Sequence, residues 1–172
     1  LYLNLVRQYL LKNKIKNYKI ILEPYKKNTS AAILASAILE EIPFEQPMIF
    51  LPADHLIGNN RMFVKSVKSN FSYLDEDNIF IFGVKPNAPS SQYGYILTKK
   101  IKKNINKVTK FIEKPKTSKA KVVIKNKGYW NSGMFYLRKD SIINNFKKYQ
   151  NKTYKSCLEA VKKAKYKNNT YY

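Results

Sequence analysis

Lys19 to His55 reads KIILEPYKKNTSAAILASAILEEIPFEQPMIFLPADH, and this stretch decides the fold. KIILE (Lys19 to Glu23) is a short apolar run of the kind a buried strand makes. Asn28-Thr29-Ser30 offers helix N-cap side chains ahead of the Ala-rich stretch Ala31 to Glu41. Pro47 to Leu51 (PMIFL) is again a buried-strand pattern, which closes one β-α-β unit. Downstream, Arg61 to Tyr73 has helical spacing through Phe63, Val67 and Phe71, and Asn78 to Val84 (NIFIFGV) is a third strand. Upstream, Leu3, Val6, Leu10 and Lys14 mark an amphipathic helix. Alternation at this spacing predicts an α/β fold: a Rossmann-like, mostly parallel sheet with right-handed crossovers and helices on both faces.

From Tyr93 the texture changes. Tyr93 to Thr98 and Lys107 to Lys114 are shorter, more polar strands, followed by a helix from Ser118 to Lys125. Tyr129 to Leu137 is an aromatic strand, and helical patterns run from Asp140 onward. No linker or internal repeat interrupts the sequence, so residues 1–172 are read as one domain, large enough to bury a core.

Composition narrows the function classes. A hydrophobic fraction of 44% and an aromatic fraction of 14% exclude a disordered chain. Thirty-three Lys plus Arg against eleven Asp plus Glu give a net charge of +22, which on its face points to a polyanion partner. The distribution opposes this. Only Arg7, Arg61 and Arg138 are arginines, the residue that reads bases and phosphates bidentately, and the lysines spread from Lys12 to Lys167 without a block. The excess of Lys, Asn, Ile and Tyr also follows from the codon bias of an A/T-rich genome. Nucleic acid is therefore not the expected partner.

Cys157 is the only cysteine, which removes disulfides and Cys-based metal sites and fits a reducing cytoplasm. No apolar run approaches the ~18 residues of a membrane span, so a soluble protein with no membrane partner is expected. The chain opens on Leu1 within a helical pattern, and Asn168-Asn169-Thr170-Tyr171-Tyr172 carries no terminating signal; an internal fragment of a longer protein is the expectation.

Ligands of open parallel sheets bind beyond the carboxyl ends of the strands. Two segments fall there: Glu23 through Thr29, and Pro52-Ala53-Asp54-His55. Asp54 places a carboxylate where it reaches a divalent cation bridging phosphates; the plain alternative is a turn residue, and His55 alone reads as structural. Glu23, Asn28 and Thr29 form a polar edge for a nucleobase; an N-cap accounts for Asn28 and Thr29 but not for Glu23-Pro24. In Tyr93-Gly94-Tyr95 a glycine between aromatics lets a ligand approach the backbone, or marks a bulge. Glu113 and Lys114 offer a carboxylate for sugar hydroxyls and an ammonium for phosphate, though exposed Glu-Lys pairs are commonly inert. In Trp130-Asn131-Ser132-Gly133, core packing explains the aromatic residue but not Asn131.

Taken in order, ILEPYKKNTSAA, IFLPADHLI, FGVKPNAPSSQYGYI, FIEKP and YWNSGMF resemble mannose-1-phosphate guanylyltransferases, within the wider sugar-nucleotide pyrophosphorylases. The resemblance runs from about Ile20 to Arg138. It implies a nucleotide-diphospho-sugar transferase fold, here incomplete. It also implies that mannose 1-phosphate and GTP give GDP-mannose and pyrophosphate. By resemblance, Asp54 would hold Mg²⁺, and Glu23, Asn28 and Thr29 would face the nucleotide. Gly94, Glu113 and Asn131 would bind the mannosyl group, with Lys114 near its phosphate as the second catalytic residue beside Asp54.

Two parts of the family's site have no counterpart in these residues: a glycine-rich loop with Arg and Lys that cradles the triphosphate, and a later Asp on the metal. The isolated chain is therefore expected to be inactive. Gln92 stands where the family usually has Gly, and Lys27 where it usually has Arg. The alternatives are a non-catalytic nucleotide-sugar-binding or regulatory protein, and a basic nucleic-acid-binding protein. A homo-oligomer stays open.

Overall fold

The computed structural model describes residues 2–25, 28–39, 41–102 and 105–172. Two compact units emerge: one comprises the residues up to Ile42 together with Ile142–Tyr172, the other Pro43–Ser141.

The first unit contains α1 (Tyr2–Lys12), β1 (Ile20–Ile21) and α2 (Asn28–Leu39). Ile33, Leu34 and Ala37 on α2 are buried, and α2 packs on α6 (Asn151–Lys163). α2 spans Asn28–Leu39, and Asn28 at φ 60° stands at its entrance outside helical geometry, with Thr29 in the first turn. Residues 26, 27 and 40 fall outside the described residues, and with them Lys27. The tail forms a hairpin of β7 (Tyr166–Lys167) and β8 (Thr170–Tyr171), where a helical continuation was expected. Its turn is Asn168-Asn169, with φ of 51° and 56°. Two successive left-handed residues match the twist of a two-residue hairpin, and Asn tolerates that region. β8 adds in parallel to β1, pairing Ile20 with Thr170. Arg7 of α1 donates to Thr170 Oγ1 at 2.8 Å, which ties the helix to this small sheet.

The lone Cys157 lies on α6, half-buried. Burial, and secondarily the Glu23 carboxylate, push its thiol above the ordinary value.

The second unit holds β2 (Pro47–Phe50), α3 (Asn60–Ser69), a 3-10 turn at Phe71–Tyr73, and β3 (Ile79–Val84). The hairpin β4 (Tyr95–Lys102) and β5 (Ile105–Ile112), α4 (Thr117–Lys125) and β6 (Tyr129–Arg138) follow; α5 (Lys139–Tyr149) begins at the unit boundary. The helix expected from Arg61 to Tyr73 is shorter, because the Asn70 side chain takes the carbonyl of Ser66 at 2.7 Å and stops it. The β4–β5 arms reach further into the Lys-rich connection than the sequence pattern suggests, since ladder pairing rather than burial holds them.

The strand directions refine the parallel expectation. β2 and β3 run the same way, as a β-α-β stretch requires, yet both pair antiparallel with β6, which lies between them. Phe135 faces Phe50 on one edge and Ile81 on the other. Nearer the start of β6, Trp130 lies between Tyr95 of β4 and Val84 of β3. All registered pairs in this unit are antiparallel among the described residues.

Tyr95, Ala120 and Val123 form a buried cluster under α4, completed by Leu97, Ile112, Ile124 and Trp130. α4 ends with the Gly128 N–H on Val123 O and the Lys127 N–H on Ile124 O, both at 2.9 Å, a Schellman closure. The left-handed residue in it is Lys127, at φ 56°. Glycine stands one place later because a Cβ on Gly128 would lie 2.5 Å from Val123 Cγ1 and 2.9 Å from Val123 O. No helix among the described residues is long and apolar enough to cross a membrane.

Two outcomes follow from this packing. Gly128→Ala lowers unfolding stability by about 1–3 kcal/mol in urea denaturation, whereas Gly58→Ala, with nothing within 4 Å, stays within about 0.5 kcal/mol. At Cys157, a raised folded pKa means stabilisation that is full below the unfolded thiol value and fades as pH rises through the folded one. Iodoacetamide should therefore label the native chain more slowly than the urea-unfolded chain at mildly alkaline pH, and Cys157→Ser should flatten the alkaline loss of stability.

Candidate functional site

Gly94 is buried just ahead of β4, which runs between β5 and β6. The pairing Ile96↔Phe111 and Ile96↔Tyr129 fixes which residues flank it. Alternation then places Gly94, Glu113 and Asn131 on one face of the sheet, opposite the face where Tyr95 and Trp130 pack under α4. Contact geometry agrees. A Cβ on Gly94 would sit 3.0 Å from Glu113 Oε2, 3.1 Å from Phe111 Cζ and 3.7 Å from Asn131 Cβ. A side chain here would press on the far ends of the exposed Glu113 and Phe111 side chains and would meet Asn131 only at ordinary contact distance, so glycine leaves room over this backbone.

Asn131 is held by its own strand. Its N–H donates to Gly94 O at 2.8 Å, and its Oδ1 accepts from the Gly133 N–H at 3.2 Å. Ser132 Oγ accepts from the Met134 N–H at 3.2 Å. These bonds stabilise a β-bulge: pairing to β3 shifts register between Ile81 and Gly83, and Gly133 takes φ +72°. The bulge re-aims the side chains around it and leaves the Asn131 amide NH₂ without a hydrogen bond among the described residues.

Glu113 and Lys114 are both exposed, with Oε1 and Nζ 4.0 Å apart. Lys114 adopts φ 36°, a left-handed turn that carries the chain into buried Pro115 and on to α4. A loose, solvated pair of this kind adds little stability and leaves both groups available to a ligand.

Asp54 and His55 lie exposed in the loop after β2. That loop leans on the bulge, since Pro52 Cγ is 3.7 Å from the Cβ position of Gly133. Among the described residues no group of three or more His, Cys, Asp or Glu side chains could hold a metal ion. A single carboxylate still suits Mg²⁺, a hard cation that takes one or two carboxylates and completes its shell with phosphate oxygens and water.

Glu23, Asn28 and Thr29 belong to the first unit. Glu23 follows β1, where the Leu22 N–H donates to Tyr171 O at 3.0 Å, and it is exposed. Asn28 opens α2 with φ 60°, and Thr29 is exposed beside it. The structure thus gathers Gly94, Glu113, Lys114 and Asn131 in the second unit, with the Asp54 loop on the same bulge. The nucleotide candidates lie in the other unit, Glu23 after β1 and Asn28 with Thr29 at the start of α2.

Two supports were not singled out in the sequence. Tyr93, nearly half exposed, stacks at 4.8 Å on Trp130, and the Tyr95 hydroxyl both accepts from Ser90 N–H at 2.9 Å and donates to Ser90 O at 3.0 Å. The first is an aromatic pair on the opposite face, behind Gly94; the second pins the loop leading into it. Period-two alternation around Gly94 was the available signal, because it sends Tyr93 and Tyr95 to the opposite face.

Comparison with known proteins places the chain in a family. The nucleotidyl transferase family matches residues 3–171. A mannose-1-phosphate guanylyltransferase of Escherichia coli is 35% identical over 163 residues, covering 90% of this chain and 35% of the relative. The alginate biosynthesis protein AlgA of Pseudomonas aeruginosa is 28% identical over 167 residues, 94% of this chain and 35% of the relative. The chain thus spans about a third of the length of these curated relatives. Two solved structures superpose with TM-scores of 0.78. One, from Thermus thermophilus, is described as a mannose-1-phosphate geranyltransferase; at 22% identity it covers 92% of this chain and 47% of its own. The other, described as a mannose-6-phosphate isomerase from Helicobacter pylori, is 31% identical and covers 94% of this chain and 62% of its own. The α/β fold is that of the nucleotide-diphospho-sugar transferases. With the family match running through both compact units, this chain belongs to the nucleotidyl transferase family.

Proposed function

We propose that this chain is the sugar-phosphate-binding part of a guanylyltransferase that joins mannose 1-phosphate to GTP. The observation that carries the reading is the convergence of Glu113 and Asn131 over Gly94. A carboxylate accepts hydrogen bonds from vicinal sugar hydroxyls, the Asn131 amide donates to a ring or hydroxyl oxygen, and the bare Gly94 backbone lets the pyranose approach closely. Lys114, beside Glu113, is the cation for the sugar's phosphate. The similarity to named mannose-1-phosphate guanylyltransferases favours mannose and guanine.

In the proposed reaction a phosphate oxygen of mannose 1-phosphate attacks the α-phosphorus of GTP in line. The bond to the bridging oxygen breaks and pyrophosphate leaves. The protein's work is alignment and charge neutralisation rather than covalent catalysis. Asp54 would hold Mg²⁺, which when bound offsets phosphate charge. Glu23, Asn28 and Thr29 would face the base. Both compact units would then serve one nucleotidyltransferase domain, working in the cytoplasm in keeping with its lone Cys157 thiol.

The five glycines, Gly58, Gly83, Gly94, Gly128 and Gly133, are scattered, so these residues contain no glycine-rich phosphate loop. The isolated chain should therefore bind GDP-mannose without releasing pyrophosphate from GTP and mannose 1-phosphate.

Titration calorimetry with GDP-mannose tests the site. Glu113→Gln and Asn131→Ala should each weaken binding by about tenfold, the loss of one good polar contact. Asp54→Asn should remove the part of the affinity that depends on Mg²⁺ and leave the rest. GDP-mannose binding that ignores all three substitutions would sink the assignment. Salt-steep binding of RNA in place of GDP-mannose would favour the basic-protein alternative.

A further inference from the structure

On the sheet face that carries Gly94, Glu113 and Asn131, but lined by other residues, lies a groove of about 630 Å³. That volume suits a small organic molecule, for which pockets run from about 300 to 1,000 Å³. Its floor is aromatic: Phe80 and Tyr136 have ring centroids 6.4 Å apart, and Phe82 and Tyr129 extend the surface. Gly83 lets Tyr129 and Ile96 pack onto its backbone, since a Cβ there would lie 3.0 Å from Tyr129 Cβ and 3.2 Å from Ile96 Cδ1. α3 forms one wall through Val67 and Asn70, and the β4–β5 arms form the other.

Two features say what the groove would take. The first is Tyr136, which lines it while only 5% exposed, with a hydroxyl that makes no hydrogen bond among the described residues. Like any phenol it carries its proton at neutral pH, and the hydroxyl is not among the buried atoms left without a partner, so it is reached from the groove and can donate to a ligand there. The second is charge. Lys102 and Lys107 line the groove, Lys102 Nζ sits 4.1 Å over the Tyr73 ring, and no Asp or Glu is among the lining residues. An aromatic floor, one uncommitted hydroxyl and two cations call for a flat ring with an acceptor atom and an anionic tail.

We propose that this groove is a second binding site, for an aryl or nucleoside monophosphate, with the ring over Phe80 and Tyr136 and the phosphate at Lys102 and Lys107. The site is independent of the Gly94 cluster, none of whose residues lines it.

The test is a titration of the ¹⁵N-labelled chain with phenyl phosphate, with GMP, and with inorganic phosphate as control. Saturable shifts centred on Phe80, Phe82, Tyr129 and Tyr136 are expected with both ring phosphates and not with inorganic phosphate. Replacing both cations, Lys102→Gln with Lys107→Gln, should weaken binding by about tenfold or more without unfolding, since both side chains are exposed. Tyr136→Phe, which keeps the ring, should weaken it by about threefold or more. Glu113→Gln should leave the groove midpoint where it was, which separates failure here from failure at the sugar site. Absence of saturable shifts at the floor, equal shifts with inorganic phosphate, or a midpoint indifferent to the double lysine replacement would overturn the proposal.

Discussion

The second unit hangs on the backbone pairing of β6 along both of its edges. One edge carries β3 along most of its length; the other carries β4 at the start and β2 at the end. Ladder hydrogen bonds are modest one by one, but a strand used twice fixes three neighbours at once, and an error in its register would displace all of them. The register pauses where Asn131, Ser132 and Gly133 bulge. Flanked by firm ladders, that bulge can hold a strained turn and present an amide side chain at a fixed angle. The Asp54 loop rests against it through Pro52, so the metal candidate and the sugar candidate share one support.

Gly94 converts this frame into a site. Because β4 lies between β5 and β6, a missing side chain on it lets Glu113 and Asn131 close in from both sides. Tyr95 and Trp130 are committed to the opposite face and to α4, so the backbone at Gly94 is braced from behind. The polar groups remain unspent: the Glu113 and Lys114 pair is loose, and the Asn131 NH₂ is free of protein partners among the described residues. A rigid backbone with uncommitted side chains suits selective recognition of a hydroxylated ring.

Much of this was legible in the residues. Apolar runs such as PMIFL and NIFIFGV mark strands through their β-branched and aromatic content, although the structure leaves their residues half-buried or exposed rather than buried on both faces, and the ordered motifs name Gly94, Glu113 and Asn131 before any coordinate does. What stayed hidden depends on partners distant in sequence. Nothing local in YWNSGMF says that it will separate β2 from β3, and periodicity says nothing about strand direction. The Lys-rich arms around Lys99 to Lys107 lack a hydrophobic pattern because pairing alone sustains them. The terminal hairpin rests on Asn168 and Asn169 accepting left-handed conformations, a turn signal passed over in a Lys- and Asn-rich tail. The groove beside Tyr136 had no sequence signature, since its walls come from α3, β3, β4, β5 and β6 together.

The most direct measurement is isotope-edited NMR of the chain with ¹³C-labelled mannose 1-phosphate, observing intermolecular NOEs from the sugar protons. NOEs to the Gly94 Hα and the Asn131 side chain, absent in Gly94→Val, would establish that the bare backbone receives the pyranose. NOEs confined to other surfaces, or persisting unchanged in Gly94→Val, would contradict the account.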